Sequence, residues 1–202
     1  MVFATVAIVG SVRSTIFPSA LGIQAGDSVK VSFPALTAAV DRIATDGSGV
    51  HLDDGIKPYL ICNESFAMSF GKVTGVMGKP LPVVPPALPS DDTFFSLMSK
   101  RPVNDGIFVS TKAGAPTGLP MNLKGGSGAN IEELYKGPFN LDLSFNYRRG
   151  TVPSLELGET AKKTFTQDGL LSSSFRLSTG WATNYVLDVK LESIEIHLPS
   201  KK

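Results

Sequence analysis

Hydrolytic chemistry on a serine or threonine needs an imidazole or an equivalent base beside the nucleophile, and this chain offers two histidines, His51 and His197. His51 lies in Asp46-Gly47-Ser48-Gly49-Val50-His51-Leu52-Asp53-Asp54-Gly55, where carboxylates, a hydroxyl and an imidazole crowd into one glycine-rich loop. Asp46, Ser48, Asp53 and Asp54 are the candidate ligands for a hard cation such as calcium, which takes several oxygens from flexible backbone. The helix-loop-helix calcium pattern needs a glutamate at the end of its loop, and none stands there. A polar turn shaped by Asp and Gly is the simpler expectation, and no metal or cofactor is expected. His197 falls out of phase with Ile196 and Leu198, which places it on the solvent side of a strand.

The remaining motifs fall short of a reaction. Lys124-Gly125-Gly126-Ser127-Gly128-Ala129-Asn130 resembles a phosphate cradle but lacks the Lys-Ser/Thr pair after its glycines, so it reads as a loop. Asp53-Asp54, Asp91-Asp92 and Glu132-Glu133 are sequence neighbours that do not share a helical or strand face. Asn63-Glu64-Ser65 is a glycosylation sequon that matters only in a secreted protein, and no signal peptide is recognised. The single cysteine, Cys62, follows Leu60 and Ile61 and reads as a buried structural thiol. No nucleophile, base and orienter can be placed together, so the chain is not expected to be an enzyme.

Charge narrows the partners. Nineteen basic and eighteen acidic residues leave a net charge of +1, so no global field draws the protein to nucleic acid or an anionic membrane. The basic residues cluster only as pairs. Arg148-Arg149 and Lys162-Lys163 are the candidate phosphate contacts, provided that a hairpin brings the two pairs together. Direct nucleic-acid binding is expected to be weak or absent, and no membrane partner is expected.

The elements that must position these residues are strands. Phe139 to Tyr147 alternates Phe139, Leu141, Leu143, Phe145 and Tyr147 with Asn140, Asp142, Ser144 and Asn146, the period of a half-buried strand. Burying those five side chains would contribute on the order of 8 to 12 kcal/mol before ordering entropy. Met1 to Val9 reads as a buried first strand and Ser28 to Phe33 as a half-buried one. Ile56 to Val76 reads as two strands meeting in a hairpin near Asn63-Glu64. In Tyr185 to Leu198, Leu187, Val189 and Leu191 keep one phase and Ile194, Ile196 and Leu198 the other. A β-bulge or a crossing between sheets at Glu192-Ser193 reconciles them.

Short helices are expected in the connections: one or two turns within Ala35 to Ala44, one capped by Ser90 with Phe94, Leu97 and Met98 as its packing face, and one opened by Asn130 and Glu133. The proline-rich stretch Lys79 to Pro89 cannot lie inside a sheet and reads as a surface strap on one domain spanning residues 1–202.

The expected fold is all-β and mainly antiparallel: a jelly-roll-like β-sandwich of about seven or eight strands with two or three short helices, or alternatively an open β-barrel. Scarce charge, at 18% of residues, an apolar strap and a β-rich pattern point to a self-assembling structural subunit, a viral or phage coat or shell protein found in the assembled particle. Its partners would be copies of itself and other shell proteins. The alternative is a monomeric sandwich that binds carbohydrate or another ligand through its loops, with Trp181 as an available sugar platform.

Overall fold

The computed structural model describes residues 2–15, 22–39, 55–62, 65–77, 93–99, 104–111, 121–124, 139–152, 156–157, 162–179 and 183–198. Twelve strands occupy almost all of them: β1 Phe3–Thr15, β2 Ser28–Ala39, β3 Ile56–Ile61, β4 Ala67–Phe70, β5 Val73–Met77, β6 Thr93–Met98, β7 Asn104–Thr111, β8 Met121–Lys124, β9 Phe139–Arg148, β10 Lys162–Phe165, β11 Leu170–Thr179 and β12 Thr183–His197. All pairings are antiparallel. The chain is therefore all-β, with more strands than the seven or eight expected from its pattern.

Two of the expected helices are strands. The helical spacing of Leu36 and Val40 yields to pairing, because β2 continues through Ala39, with Leu36 opposite Phe3 and Thr37 N–H donating to Val2 O at 3.0 Å. Around Phe94, Leu97 and Met98 the operating period is two: Phe95 and Leu97 are buried in β6, which is paired on both sides by β3 and β7. Local spacing is a weak prior against two complete ladders. The third expected helix, the strap at 79–89 and the 46–54 portion of the calcium-candidate loop lie outside the described residues.

The hydrogen-bonded path runs β1-β12-β11-β9-β7-β6-β3-β2-β4-β5-β8, with β10 also on β12 and β1 also on β2. Pairing thus returns from β2 to β1, while β4-β5-β8 and β10 leave as branches, and the sheet as a whole is open. The expected hairpin near Asn63-Glu64 does not form. Instead β3 and β4 lie end to end along the same edge of β2, Ile61 opposite Ala35 and Ala67 opposite Ser32, with Cys62 N–H donating to Pro34 O at 2.9 Å. The hairpin comes one strand later, at Gly71-Lys72 between β4 and β5. Gly71 takes φ 55°, and a Cβ there would sit 2.7 Å from the Asp27 carboxyl carbon, so both backbone and space require glycine.

β12 changes partner partway, as its phase shift predicts. Thr183 to Leu187 pair with β11 and Ile194 to His197 pair with β10, whereas β1 follows nearly the whole strand. In the β1 ladder Val9 faces Ser193 and Gly10 faces Leu191. Glu192 is therefore the extra residue of a bulge, and it is exposed. The bulge lets Leu187, Val189 and Leu191 on one side, and Ile194 and Ile196 on the other, all reach the core.

Where β12 has left β11 and not yet reached β10, side chains replace the ladder: Ser173 Oγ donates to Val189 O at 2.8 Å and Gln167 Nε2 to Leu191 O at 2.7 Å.

The core draws on strands that never pair. Phe70 of β4 meets Phe175 of β11 edge-to-face at 5.1 Å, and Phe33 of β2 packs against Phe66 at 5.6 Å and Phe95 of β6 at 5.7 Å. Leu143, Phe145 and Tyr147 of β9 are fully buried, in the phase that the alternation predicts.

The bulge requires its neighbour to be small: a Cβ on Gly10 would lie 2.6 Å from Lys190 O and 2.9 Å from Val189 Cγ1. Gly10→Ala must displace backbone, and we expect a loss of about 1–3 kcal/mol, the cost typical of overpacking. Urea unfolding with an unchanged slope and a lowered midpoint would show it, and a midpoint equal to that of the wild type would contradict it.

Candidate functional site

Among the described residues a cluster of titratable side chains on the surface sits where β10 meets β12. Lys162 faces His197 across the ladder, and Thr164 faces Glu195. Alternation sends Lys162 and Thr164 outward while Phe165 enters the core. Glu195, two residues before His197 on the same strand, bridges both side chains: its Oε1 lies 3.3 Å from Lys162 Nζ, and its Oε2 lies 2.8 Å from His197 Nε2. The His197 hydrogen bond first, and Lys162 second, hold the Glu195 carboxyl below its ordinary value of 4.5. His197 is on the solvent side of its strand, half-exposed, as its phase predicts.

A carboxylate that orients an imidazole is half of a general-base system. The other half is a nucleophile held by the imidazole, and Thr5, opposite His197 on β1, makes no hydrogen bond to it among the described residues. The cluster acts as an electrostatic clamp that fixes the short strand β10 on the sheet.

The four candidate phosphate contacts do not converge. Arg148 and Arg149 are exposed at the end of β9, and no hairpin joins β9 to β10. The two segments touch at the other end of β10, where the Phe165 ring lies 6.1 Å from that of Tyr147 and Tyr147 Oη donates to Thr166 O at 3.0 Å. Lys162 is three residues further along, roughly 10 Å away. Both lysines are also engaged: Lys162 with Glu195, and Lys163 Nζ as donor to Glu156 O, while Glu156 pairs through its carboxylate with Lys57.

Of the calcium candidates, Asp46, Ser48, Asp53 and Asp54 lie outside the described residues, as do His51 and Trp181. No cluster of three or more metal-ligating side chains occurs among the described residues, and no described helix is long and apolar enough to cross a membrane. Cys62 is half-buried rather than buried.

One buried polar group escaped the sequence reading. Asp105 of β7 is fully buried, in phase with Ile107 and Val109 and opposite Tyr147. Its Oδ2 accepts the Val152 N–H at 2.9 Å and so ties the turn after β9 to the sheet, while Oδ1 has no hydrogen-bond partner among the described residues. Burial pushes the neighbouring Tyr147 phenol well above its usual range.

No family model, no curated protein and no solved structure matches this chain. Function must be argued from the residues themselves.

Two outcomes follow for these side chains. Asp105→Ala strands the Val152 N–H and costs about 1–3 kcal/mol, whereas Asp105→Asn keeps an acceptor and removes a buried charge, and leaves stability unchanged or higher. Thermal melts decide it, and equal damage from both would mean that the charge itself is needed. For Glu195 the lowered folded value means that its contribution is full above the ordinary glutamate value of 4.5 and is lost as pH falls through the lowered one. The melting difference between wild type and Glu195→Gln should narrow below that value and close further into acid. A difference independent of pH would contradict the clamp.

Proposed function

We propose that the chain is a structural subunit that assembles with copies of itself into a coat or shell, as viral and phage coat proteins do. The observation that carries this reading is the asymmetry of the sheet's ends. The path terminates at β8, Met121-Asn122-Leu123-Lys124, which is paired along one edge by β5 and, among the described residues, carries no strand on the other. The branch strand β10 bears the tandem lysines Lys162-Lys163, a device that discourages edge pairing. β8 is thus the edge at which a second copy would add its own strand.

Three further features support assembly. Surface ion pairs Arg13–Asp188, Lys57–Glu156 and Lys162–Glu195 use charge within the subunit. Val2, Phe3 and Leu171 are large apolar side chains left exposed. Aromatic contacts between strands that never pair favour two packed layers, so a jelly-roll-like sandwich is the finer description of the fold we propose, with an open barrel as the alternative.

In such a particle the partners are copies of the chain and other shell proteins. With Lys162 and Lys163 engaged internally, direct phosphate contact falls to Arg148 and Arg149, and nucleic acid would be enclosed more than gripped.

Size-exclusion chromatography with light scattering, followed by electron microscopy, tests the reading. Oligomers or particles are expected at micromolar concentration. A strict monomer with no particles would end the assembly reading.

A further inference from the structure

The outward face of β7, β9 and β11 carries a group of uncharged polar side chains. Alternation with the buried Asp105, Ile107, Val109, Leu143, Phe145 and Tyr147 places Asn104, Phe108, Ser144, Asn146 and Arg148 on that face. Ser172 and Ser174 of β11 complete it. The registers align these into rows: Gly106, Asn146 and Ser172 in one, Phe108, Ser144 and Ser174 in the next, with Asn104 opposite Arg148 at the end. Three strands about 4.8 Å apart make a platform roughly 10 Å wide.

The polar groups are wired to one another. Asn146 Nδ2 donates to Ser144 Oγ at 3.2 Å and to Ser172 Oγ at 3.1 Å, and Asn104 Nδ2 donates to Asn146 Oδ1 at 3.5 Å. Each serine spends an acceptor lone pair on the central amide, so its own hydroxyl hydrogen is left to donate elsewhere. Asn104 keeps a second N–H and its carbonyl. The central amide therefore holds two hydroxyls in fixed orientation, which lowers the ordering cost of any ligand that accepts from them. Phe108, half-buried one row away, supplies an aromatic surface.

We propose that this face binds a neutral polyhydroxylated ligand, a glycan. A sugar ring carries hydroxyls on its rim and C–H groups on its face, and it needs both ordered hydrogen-bond partners and an aromatic surface. The charges that the registers give this face are Arg148 and, in the row beyond Phe108, Asp142 opposite Arg176, a net of one positive charge that is too little to select a polyanion, which needs several cations. A protein partner would need a buried apolar centre, and the face offers only Phe108 as a large apolar side chain among the residues placed here. The site is independent of the β8 edge, so the subunit can carry it assembled or free.

An array of immobilised neutral oligosaccharides, built from hexoses and N-acetylhexosamines, is probed with wild-type protein beside sulfated and sialylated sets, and the strongest response is titrated calorimetrically with the soluble sugar. Binding to the neutral set is expected, with Asn146→Ala and Phe108→Ala each raising Kd tenfold or more. Ser172→Ala is the milder variant, expected to weaken binding while keeping the wild-type melting temperature, and Lys162→Ala at the β10 clamp should leave binding unchanged.

Silence across the neutral set, with both assembled and dissociated protein, overturns the proposal. So does a response that survives Asn146→Ala and Phe108→Ala, or one confined to the anionic sets and lost in Arg148→Ala. Light scattering on the same samples shows separately whether assembly occurs, so the two readings fail independently.

Discussion

The structure depends on how its last strand absorbs one extra residue. β12 is paired along β1 on one side and shared between β11 and β10 on the other. The core stays on one face of this fifteen-residue strand, where Ile194 pairs with buried Ile8 and Leu191 with buried Gly10, but its apolar residues change phase between Leu191 and Ile194, so a regular ladder would turn one half outward. The bulge at Glu192 resolves this by advancing the phase by one residue. Leu191 and Ile194 are consequently both buried, Gly10 sits opposite with no side chain, and the backbone between β11 and β10 is satisfied by Ser173 and Gln167.

What surrounds that strand follows from it. β10 can exist as a four-residue strand only because the C-terminal half of β12 presents an edge to it, and the Lys162–Glu195–His197 cluster fastens it there. β11 pairs with β9 along its whole length while β12 borders only its second half, and the β9 pairing lines up the Asn and Ser side chains of the outward face. The proposed glycan platform lies on the β9 side of that division.

Much of this was legible in the sequence, and the failures have physical causes. The alternation of Phe139 to Tyr147 and the phase shift near Ser193 were readable because period and burial are local properties. The helices within Ala35–Ala44 and after Ser90 were misread because a few apolar residues fit both periods: Leu97 belongs to either, and only the ladders to β3 and β7 decide. The distance between Arg148-Arg149 and Lys162-Lys163 was hidden because the partner of β10 is Ile194 to His197 of the last strand, in a pairing that no local signal announces. Asp105 carried no expectation, although its phase with Ile107 and Val109 was the available clue. The polar face was visible only once registers placed residues from three strands side by side.

The most direct test of the central claim compares two changes at position 192 by chemical unfolding. Glu192→Ala keeps the extra residue and should leave the unfolding transition cooperative with a midpoint near that of the wild type, since the side chain is exposed. Deletion of Glu192 removes the bulge and brings Leu187, Val189, Leu191, Ile194 and Ile196 into strict alternation, so the transition should stay cooperative. A deletion variant that loses the cooperative transition would contradict the account, because the phase of β12 would then rest on something other than one extra residue.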